Sequence, residues 1–224
     1  MDIAQYIDHT ILKPTTTISE LKQVCTEAIT YGFAAVCIPP PFVGNARQLL
    51  KDSKVKVATV VGFPFGYSNA RAKIFETQQA LDDGADELDV VINLIALKNQ
   101  TWNYLESEIK YIVEAIHKNN KLIKVIIESG VLTNEEIIRC CEIYAKAGVD
   151  FLKTSTGYAE KGATPEAVAL MREHLPSNIQ IKASGGIRTY QFARQLIGAG
   201  ADRLGCSASV AIVKNEQESQ QHNY

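Results

Sequence analysis

An alternation of short apolar runs with helix-like segments constrains the fold most, because it continues without interruption along nearly the whole chain. Successive runs begin roughly 25–30 residues apart, and near-continuous apolar strands in such repeats predict a parallel sheet covered by helices. Eight runs fit this description, at 7–12, 33–38, 55–61, 87–93, 122–128, 151–153, 179–183 and 202–206.

The number of repeats predicts an α/β fold, and within that class a single TIM (β/α)8 barrel. Eight strand–helix units in about 210 residues fit a barrel better than an open doubly wound sheet. No Gly-x-Gly-x-x-Gly motif follows the first run, which weakens the alternative of a dinucleotide-binding sheet. We therefore predict one barrel domain over residues 1–213 and a polar, flexible tail over 214–224.

Residues that commonly begin and end helices lie between the apolar runs. Ser19 is predicted to begin the first helix and Gly32 to end it, and Thr133 is predicted to begin another. Pro165 suits the first position of a further helix. Only a short helix is expected after Ser207.

The charge balance and the N-terminus argue against several classes of partner. The chain has 23 basic and 25 acidic residues, which favours neither nucleic acid nor an anionic membrane surface. The N-terminus lacks a signal-peptide pattern, and no apolar run approaches the roughly 20 residues needed to cross a bilayer. We expect a cytoplasmic protein with no nucleic-acid or membrane partner.

The cysteines and histidines indicate neither disulfides nor a metal site. The five cysteines are odd in number and include no CxxC pair. The four histidines lack the HxH or HExxH spacing typical of metal ligands. Any chemistry is therefore expected to depend on lysines and carboxylates, with no metal.

Charged residues at the ends of predicted strands form the candidate site, because functional groups of barrels gather there. They are Asp89, Glu128, Lys153 and Lys182. Lys153 and Lys182 end consecutive strands, and neighbouring strands lie about 4.8 Å apart. If both lysines point inward, burial and mutual repulsion lower the pKa of each and favour a nucleophilic amine. Asp89 is then suited to relay protons. Taken alone, Lys153 also fits a strand-end lysine that reaches solvent.

Glycine-rich loops follow the last two predicted strands. Ser184-Gly185-Gly186 follows the seventh strand, and Gly205-Cys206-Ser207-Ala208-Ser209 follows the eighth. Backbone N–H groups in such loops hold a phosphate in many barrels. Each loop alone also fits a simple turn, but the two together favour a phosphorylated substrate.

Six segments of the sequence resemble the deoxyribose-phosphate aldolases, a family of class I aldolases built on a TIM barrel. The segments are IDHTILKP at 7–14, AAVCIPP at 34–40, VGFPFG at 61–66, DELDVVIN at 86–93, DFLKTSTGY at 150–158 and IKASGGIR at 181–188. The resemblance extends in the family's order from about residue 6 to residue 210. KTSTG followed by KASGGIR at this distance is its most specific part.

The resemblance implies reversible cleavage of 2-deoxy-D-ribose 5-phosphate into D-glyceraldehyde 3-phosphate and acetaldehyde, by a homodimer, without cofactor or metal. It implies that Lys153 forms the Schiff base, that Lys182 depresses the pKa of Lys153 and assists proton transfer, and that Asp89 relays protons. Asp8 is implied to help orient Asp89. Contacts to substrate or phosphate are implied for Thr154, Gly157, Gly185, Gly186 and Ser207.

Four further positions bear on how closely the chain follows the family. Tyr158 stands where many members carry a lysine that reaches the phosphate, and Ala208 stands where some have a second serine. Cys37 matches a cysteine near the family's site, but a small buried apolar role is the simpler interpretation. Some members end in a tyrosine that closes over the site, which implies a proton-transfer role for Tyr224; a disordered end is the alternative.

Two alternative functions remain compatible with the sequence. A class I aldolase acting on another sugar phosphate would keep Lys153 as nucleophile but release other aldehydes. A non-catalytic barrel that only binds phosphorylated ligands would form no imine.

Overall fold

The computed structural model of the chain describes residues 2–221 and shows eight parallel strands that close into a barrel in their sequence order. The strands are β1 (Ile7–Thr10), β2 (Ala35–Ile38), β3 (Lys56–Val61), β4 (Glu87–Val91), β5 (Leu122–Ile126), β6 (Phe151–Lys153), β7 (Gln180–Ser184) and β8 (Arg203–Cys206). Because β8 pairs with β1, the sheet has no free edge. The predicted TIM barrel is confirmed.

Helices surround the barrel. They are α1 (Ile18–Tyr31), α2 (Val43–Leu49), α3 (Ala70–Asp82), α4 (Leu94–Lys98), α5 (Trp102–Lys118), α6 (Asn134–Ala147), α7 (Pro165–His174), α8 (Tyr190–Gly198) and α9 (Ser209–Gln221), with short 3₁₀ helices at Ile3–Tyr6, Pro40–Phe42 and Ser129–Val131. The sequence does not predict α4, because five residues are too few to show a helical period.

Side-chain caps determine where the helices begin. The prediction that Ser19 begins α1 is wrong by two residues, because Thr17 forms a capping box with Glu20. The prediction for α6 is confirmed, since the hydroxyl of Thr133 caps that helix. Gly32 adopts a left-handed φ of 68° and ends α1, as predicted.

The apolar core lies between the outer face of the barrel and the helices. In α5, Leu105, Ile109, Ile112 and Ile116 recur on one face and are at most 3% exposed. They belong to one continuous apolar cluster with outward-facing strand residues such as Val125. Since this layer carries the hydrophobic stabilisation, the barrel interior is free to hold polar groups.

The barrel interior departs from the usual layers of branched aliphatic side chains. Strands β2 and β3 contribute a small apolar patch of Ala35, Cys37, Ala58 and Val60. Charged side chains from the other six strands also occupy the interior. The strand registers therefore collect charge from distant parts of the sequence into one space.

The last helix is longer than predicted. The boundary expected at Lys214 between barrel and tail falls inside α9, which continues to Gln221. Residues 214–221 include Lys, Glu and Gln, whose good helix propensities explain why a polar stretch extends the helix. Between residues 2 and 221, no helix combines the length and apolar character needed to span a membrane.

Candidate active site

Seven charged side chains meet inside the barrel, and we call them the barrel charge cluster. They point inward because alternate residues of a strand face the same side. The members are Asp8 of β1, Glu87 and Asp89 of β4, Lys124 of β5, Lys153 of β6, Lys182 of β7 and Arg203 of β8. Six of them are at most 2% exposed, and the side chain of Arg203 is 15% exposed.

The upper part of the barrel charge cluster brings together three residues predicted from the sequence. Lys153 and Lys182 are register partners on β6 and β7. Lys153 Nζ lies 2.7 Å from Asp89 Oδ2, and Lys182 Nζ lies 2.8 Å from the same oxygen. One carboxylate oxygen therefore bridges two lysine nitrogens, which provides a direct path for a proton between them.

Lys124 is a member of the cluster that the sequence reasoning missed. Its Nζ lies 2.5 Å from Glu87 Oε2 and 2.9 Å from Asp89 Oδ1. A usable signal was present, because Lys124 interrupts the apolar segment LIKVI and Glu87 lies two residues before Asp89. The period of two places Glu87 and Asp89 on the same face of β4.

Asp8 lies beneath the predicted catalytic residues and contacts Lys182 rather than Asp89. It forms an ion pair with Lys182 Nζ, and its Oδ1 lies 2.6 Å from Arg203 Nη1. Asp8 is linked to Asp89 through Lys182, which contacts both carboxylates, and through Lys124, which lies 3.7 Å from Asp8 and 2.9 Å from Asp89.

The formal charges of the barrel charge cluster do not balance when every group is ionised. Four basic and three acidic side chains give a net charge of 4 − 3 = +1. Burial lowers the pKa of Lys153 most; Asp89 opposes this effect and Lys182 adds to it, so the pKa falls below its usual value. A neutral Lys153 leaves the buried charges balanced.

The neighbouring groups keep their charges. Burial acts to lower the pKa of Lys182, but Asp8 and Asp89 outweigh it and hold the pKa above its usual value. Burial acts to raise the pKa of Asp89, but Lys124, Lys153 and Lys182 hold it well below the usual range. Lys153 is therefore the buried amine of this cluster that loses its proton most easily.

Lys153 opens onto a cavity of about 520 Å³ at the C-terminal end of the barrel. The glycine-rich loops line the same cavity, through Gly157, Gly185, Gly186 and Ser207. Lys182 and Asp89 lie behind Lys153, on its buried side. A substrate in this cavity meets the amine at one place and the glycine-rich loops at another.

Close packing of two loops explains why position 185 is a glycine. Gly185 adopts a φ of +90°, and an added Cβ would lie 3.0 Å from the Cα of Gly162 and 3.4 Å from that of Gly157. The loops after β6 and β7 therefore pack backbone against backbone. They form one continuous wall of the cavity.

Thr154 is buried away from the cavity wall, although the resemblance implies a substrate contact there. Its hydroxyl accepts a hydrogen bond from the Ser184 N–H at 3.0 Å and donates to the Ser184 carbonyl at 3.3 Å. Thr154 thus joins the ends of β6 and β7. Thr156, which the sequence analysis did not select, lines the cavity instead.

Glu128 holds Thr156 in place from the end of β5. Its carboxylate accepts hydrogen bonds from the Thr156 hydroxyl at 2.5 Å and from the Thr156 N–H at 3.2 Å. Glu128 has a φ of 55°, which is uncommon for a residue with a side chain, and burial raises its pKa. The strained backbone and buried acid indicate a residue that positions the loop after β6.

Glu128→Ala is expected to lower the free energy of unfolding by about 1–3 kcal/mol, because the hydroxyl and N–H of Thr156 lose their buried acceptor. Glu128→Gln keeps an acceptor oxygen and is the matched control, with an expected loss below about 1 kcal/mol. Urea unfolding of the three proteins measures both effects. Equal losses of unfolding free energy in the two variants would contradict the role of Glu128 as the acceptor that holds Thr156 in place.

Tyr158 connects the loop after β6 to the segment after β1 and offers no basic side chain to the cavity. Its hydroxyl donates to the Leu12 carbonyl at 2.8 Å, and its ring meets Phe63 edge to face at 5.4 Å between centroids. Lys13 and Arg188 place basic side chains on the cavity wall. An anionic substrate group therefore has Lys13 and Arg188 as cationic neighbours, although position 158 is a tyrosine and not a lysine.

Three other positions singled out in the sequence contribute differently. Cys37 is fully buried with its Sγ 4.0 Å from Asp89 Oδ2, and burial raises the pKa of the thiol. It therefore remains protonated, in keeping with a small buried residue. Ala208 packs against the apolar core. Tyr224 lies outside the described residues.

The geometry supports one kind of chemistry above others. A lysine amine with a lowered pKa can attack a carbonyl carbon, and the adjacent carboxylate can move protons during that attack. The loop N–H groups on the cavity wall suit an anionic group of the same molecule.

Comparisons with known proteins find close relatives of this chain. A model of the DeoC/LacD family of aldolases matches residues 3–215. A deoxyribose-phosphate aldolase of Caldicellulosiruptor saccharolyticus is 50% identical over 216 residues, which cover 96% of this chain and 98% of that protein. A structure of a putative deoxyribose-phosphate aldolase from Coccidioides immitis has a TM-score of 0.93 at 40% identity, over 96% of this chain and 86% of that one. The tetrameric deoxyribose phosphate aldolase from Aeropyrum pernix has a TM-score of 0.90 at 32% identity, over 96% and 91%.

Proposed function

This chain belongs to the DeoC/LacD family of aldolases, and from that premise we propose that it cleaves 2-deoxy-D-ribose 5-phosphate reversibly into D-glyceraldehyde 3-phosphate and acetaldehyde. The reaction proceeds through a Schiff base on Lys153. The observation that carries this proposal is the position of Lys153, which is 2% exposed, lines the cavity and has an amine with a lowered pKa.

The first step is attack of the neutral Lys153 amine on the aldehyde carbon C1 of the open-chain sugar. A nitrogen–carbon bond forms, and the carbonyl oxygen takes up two protons, one from the attacking nitrogen and one from solvent, and leaves as water. Asp89, whose Oδ2 lies 2.7 Å from Lys153 Nζ, accepts a proton from the nitrogen and returns one to the departing hydroxyl. The product is a protonated imine.

Cleavage follows because the protonated imine withdraws electrons from the bond between C2 and C3. The C3 hydroxyl gives its proton through a water to the Asp89–Lys182 pair, the C2–C3 bond breaks, and its electron pair enters an enamine on Lys153. D-Glyceraldehyde 3-phosphate leaves. The Asp89–Lys182 pair, joined at 2.8 Å, holds the proton that C2 of the enamine takes up before water releases acetaldehyde. Such proton transfer contributes about 10²–10⁴-fold to a rate.

The phosphate occupies the part of the cavity lined by the glycine-rich loops. Gly157, Gly185, Gly186 and Ser207 line it, and backbone N–H groups of such loops suit a phosphate. Thr154 supports this wall from behind through its two hydrogen bonds to Ser184. Asp8 supports the proton path by pairing with Lys182. The proposal also assigns to Tyr224 the role of assisting proton transfer at C2.

The test is to incubate the protein with acetaldehyde, reduce it with borohydride and map the modified peptide. We expect an ethyl group on Lys153, together with acetaldehyde release from 2-deoxy-D-ribose 5-phosphate. An adduct without cleavage of this sugar would favour an aldolase for another sugar phosphate. No adduct would favour a non-catalytic barrel, and an adduct confined to Lys182 would contradict the assigned nucleophile.

The proposed enzyme works as a homodimer in the cytoplasm. The Aeropyrum pernix protein is a tetramer, which is the alternative assembly to be tested. Light scattering at several protein concentrations distinguishes a dimer of 24.6 kDa chains from a monomer or a tetramer.

A further inference from the structure

His9 lies on β1 with its side chain directed away from the barrel interior, and the mechanism above does not use it. It is 4% exposed, and its ring packs against Phe33 with 5.2 Å between centroids. Both ring nitrogens are hydrogen-bonded, Nδ1 to Ser209 Oγ at 2.9 Å and Nε2 to Glu27 Oε2 at 2.7 Å. The ring is therefore held from both ends.

The hydrogen-bond directions follow from the groups involved. The hydroxyl of Ser209, which is fully buried, donates to the Cys206 carbonyl at 2.9 Å. Ser209 Oγ also pairs with His9 Nδ1, so this hydroxyl links the ring to the Cys206 carbonyl. Glu27 provides a carboxylate, which accepts from Nε2. His9 thus connects Glu27 to Ser209.

These bonds determine the shape of one loop. The bond from Ser209 to the Cys206 carbonyl closes the four residues 206–209 at the point where β8 passes into α9. Ser207 lies inside this closed segment and lines the cavity that contains Lys153. His9 therefore holds the Ser207 loop from β1, and it also lines the same cavity.

We propose that His9 is a positioning residue that shapes the Ser207 loop for phosphate, and so determines the preference for phosphorylated over unphosphorylated deoxyribose. This inference rests on the proposed function, because it assigns the phosphate to that loop. A phosphate needs several N–H groups at fixed directions, and a loop free to change shape presents them poorly. The end of the cavity that contains the Lys153 amine depends on other residues, so the reactivity of this amine is unaffected by the shape of the Ser207 loop.

Two substitutions at the same position separate this role from general packing. In His9→Asn the amide nitrogen stands as far from Cβ as Nδ1 does, so a partner for Ser209 Oγ is kept and the bond to Glu27 is lost. In His9→Gln the amide nitrogen reaches toward Glu27, and Ser209 Oγ loses its partner on β1. Both variants lose the ring contact with Phe33.

The measured quantity is the ratio of kcat/KM for 2-deoxy-D-ribose 5-phosphate to kcat/KM for 2-deoxy-D-ribose. We expect this ratio to fall about tenfold in His9→Gln, the equivalent of one hydrogen bond. It should change less than about twofold in His9→Asn. The rate of acetaldehyde trapping on Lys153 should match the wild type in both variants.

Ser209→Ala provides a second test that leaves His9 and its packing in place. It should reduce the same ratio about as much as His9→Gln does. Equal effects of His9→Asn and His9→Gln, an unchanged ratio in Ser209→Ala, or slowed acetaldehyde trapping would each overturn the inference. If the wild type does not cleave the phosphorylated sugar, the proposed function fails first and the inference fails with it.

Discussion

Lys153→Met is expected to lower the rate of aldol cleavage by on the order of 10⁴-fold or more, because it removes the nucleophile while the cavity remains. Acetaldehyde release from 2-deoxy-D-ribose 5-phosphate measures the loss. The folded protein should keep its stability, since three basic and three acidic groups then remain in the barrel charge cluster. A large fall in the free energy of unfolding would contradict this view of the charge balance.

Lys73 provides a matched comparison within the wild-type chain. It is fully buried and burial lowers its pKa, as it does for Lys153. Its Nζ, however, lies in the helix layer, 2.7 Å from the Val91 carbonyl and 3.0 Å from Glu108 Oε2. We expect no acetaldehyde adduct on Lys73, because a nucleophile needs access to the aldehyde as well as a lowered pKa. An adduct there would show that the cavity does not select the reacting lysine.

The sequence predicts the fold well because each strand–helix unit carries its own signals. Apolar strands and helix caps such as Thr133 depend on neighbouring residues, so they can be interpreted without knowing the partners of a strand. Lys153 and Lys182 are predicted for the same reason, since each ends an apolar run. Their contact then follows from the order of consecutive parallel strands.

The lower part of the barrel charge cluster is harder to predict, because it depends on closure of the barrel. Arg203 on β8 meets Asp8 on β1, although the two residues are separated by 195 positions in the chain. Lys124 and Glu87 stand in strands whose apolar neighbours dominate the pattern. Only the register of the closed sheet shows that these side chains share one space.

The role of Thr154 shows how a strict use of strand alternation improves a prediction based on resemblance. Lys153 points into the barrel, so the next residue of an extended strand must point away from it. Thr154 follows that rule and bonds to Ser184 behind the cavity wall. Alternation does not extend to Thr156, which lines the cavity because β6 ends at Lys153 and the chain has already turned into a loop.

Charge rather than shape sets the chemistry of this barrel. Asp89 contacts Lys124, Lys153 and Lys182. A change in the charge of any one of these four groups therefore alters the pKa of the others. The two groups that bracket Lys153 act in opposite directions, since Asp89 raises its pKa and Lys182 lowers it. Removing the charge of Asp89 and removing the charge of Lys182 should therefore shift the pKa of Lys153 in opposite directions.

Lys182→Met should shift the pH dependence of imine formation upward, whereas Asp89→Asn should shift it downward. Loss of the Lys182 charge removes an effect that lowers the pKa of Lys153, and loss of the Asp89 charge removes an effect that raises it. We expect the pH of half-maximal rate to move by about one unit in each direction. Each protein is mixed with acetaldehyde, and samples are quenched with borohydride at short intervals. The rate of imine formation is then plotted against pH. Both variants should also lose about 10²–10⁴-fold in cleavage of the phosphorylated sugar.

The opposite signs make each variant the control for the other. Both substitutions disturb the same buried cluster, so a general loss of structure would move the two profiles in the same direction. Asp89→Asn is expected to lower the free energy of unfolding by about 3–5 kcal/mol, because three buried lysines lose their shared counter-charge. Circular dichroism at the assay temperature confirms that the molecules measured are folded. Profiles that both stay at the wild-type position, or that move together, would show that Lys182 and Asp89 do not set the pKa of Lys153 electrostatically.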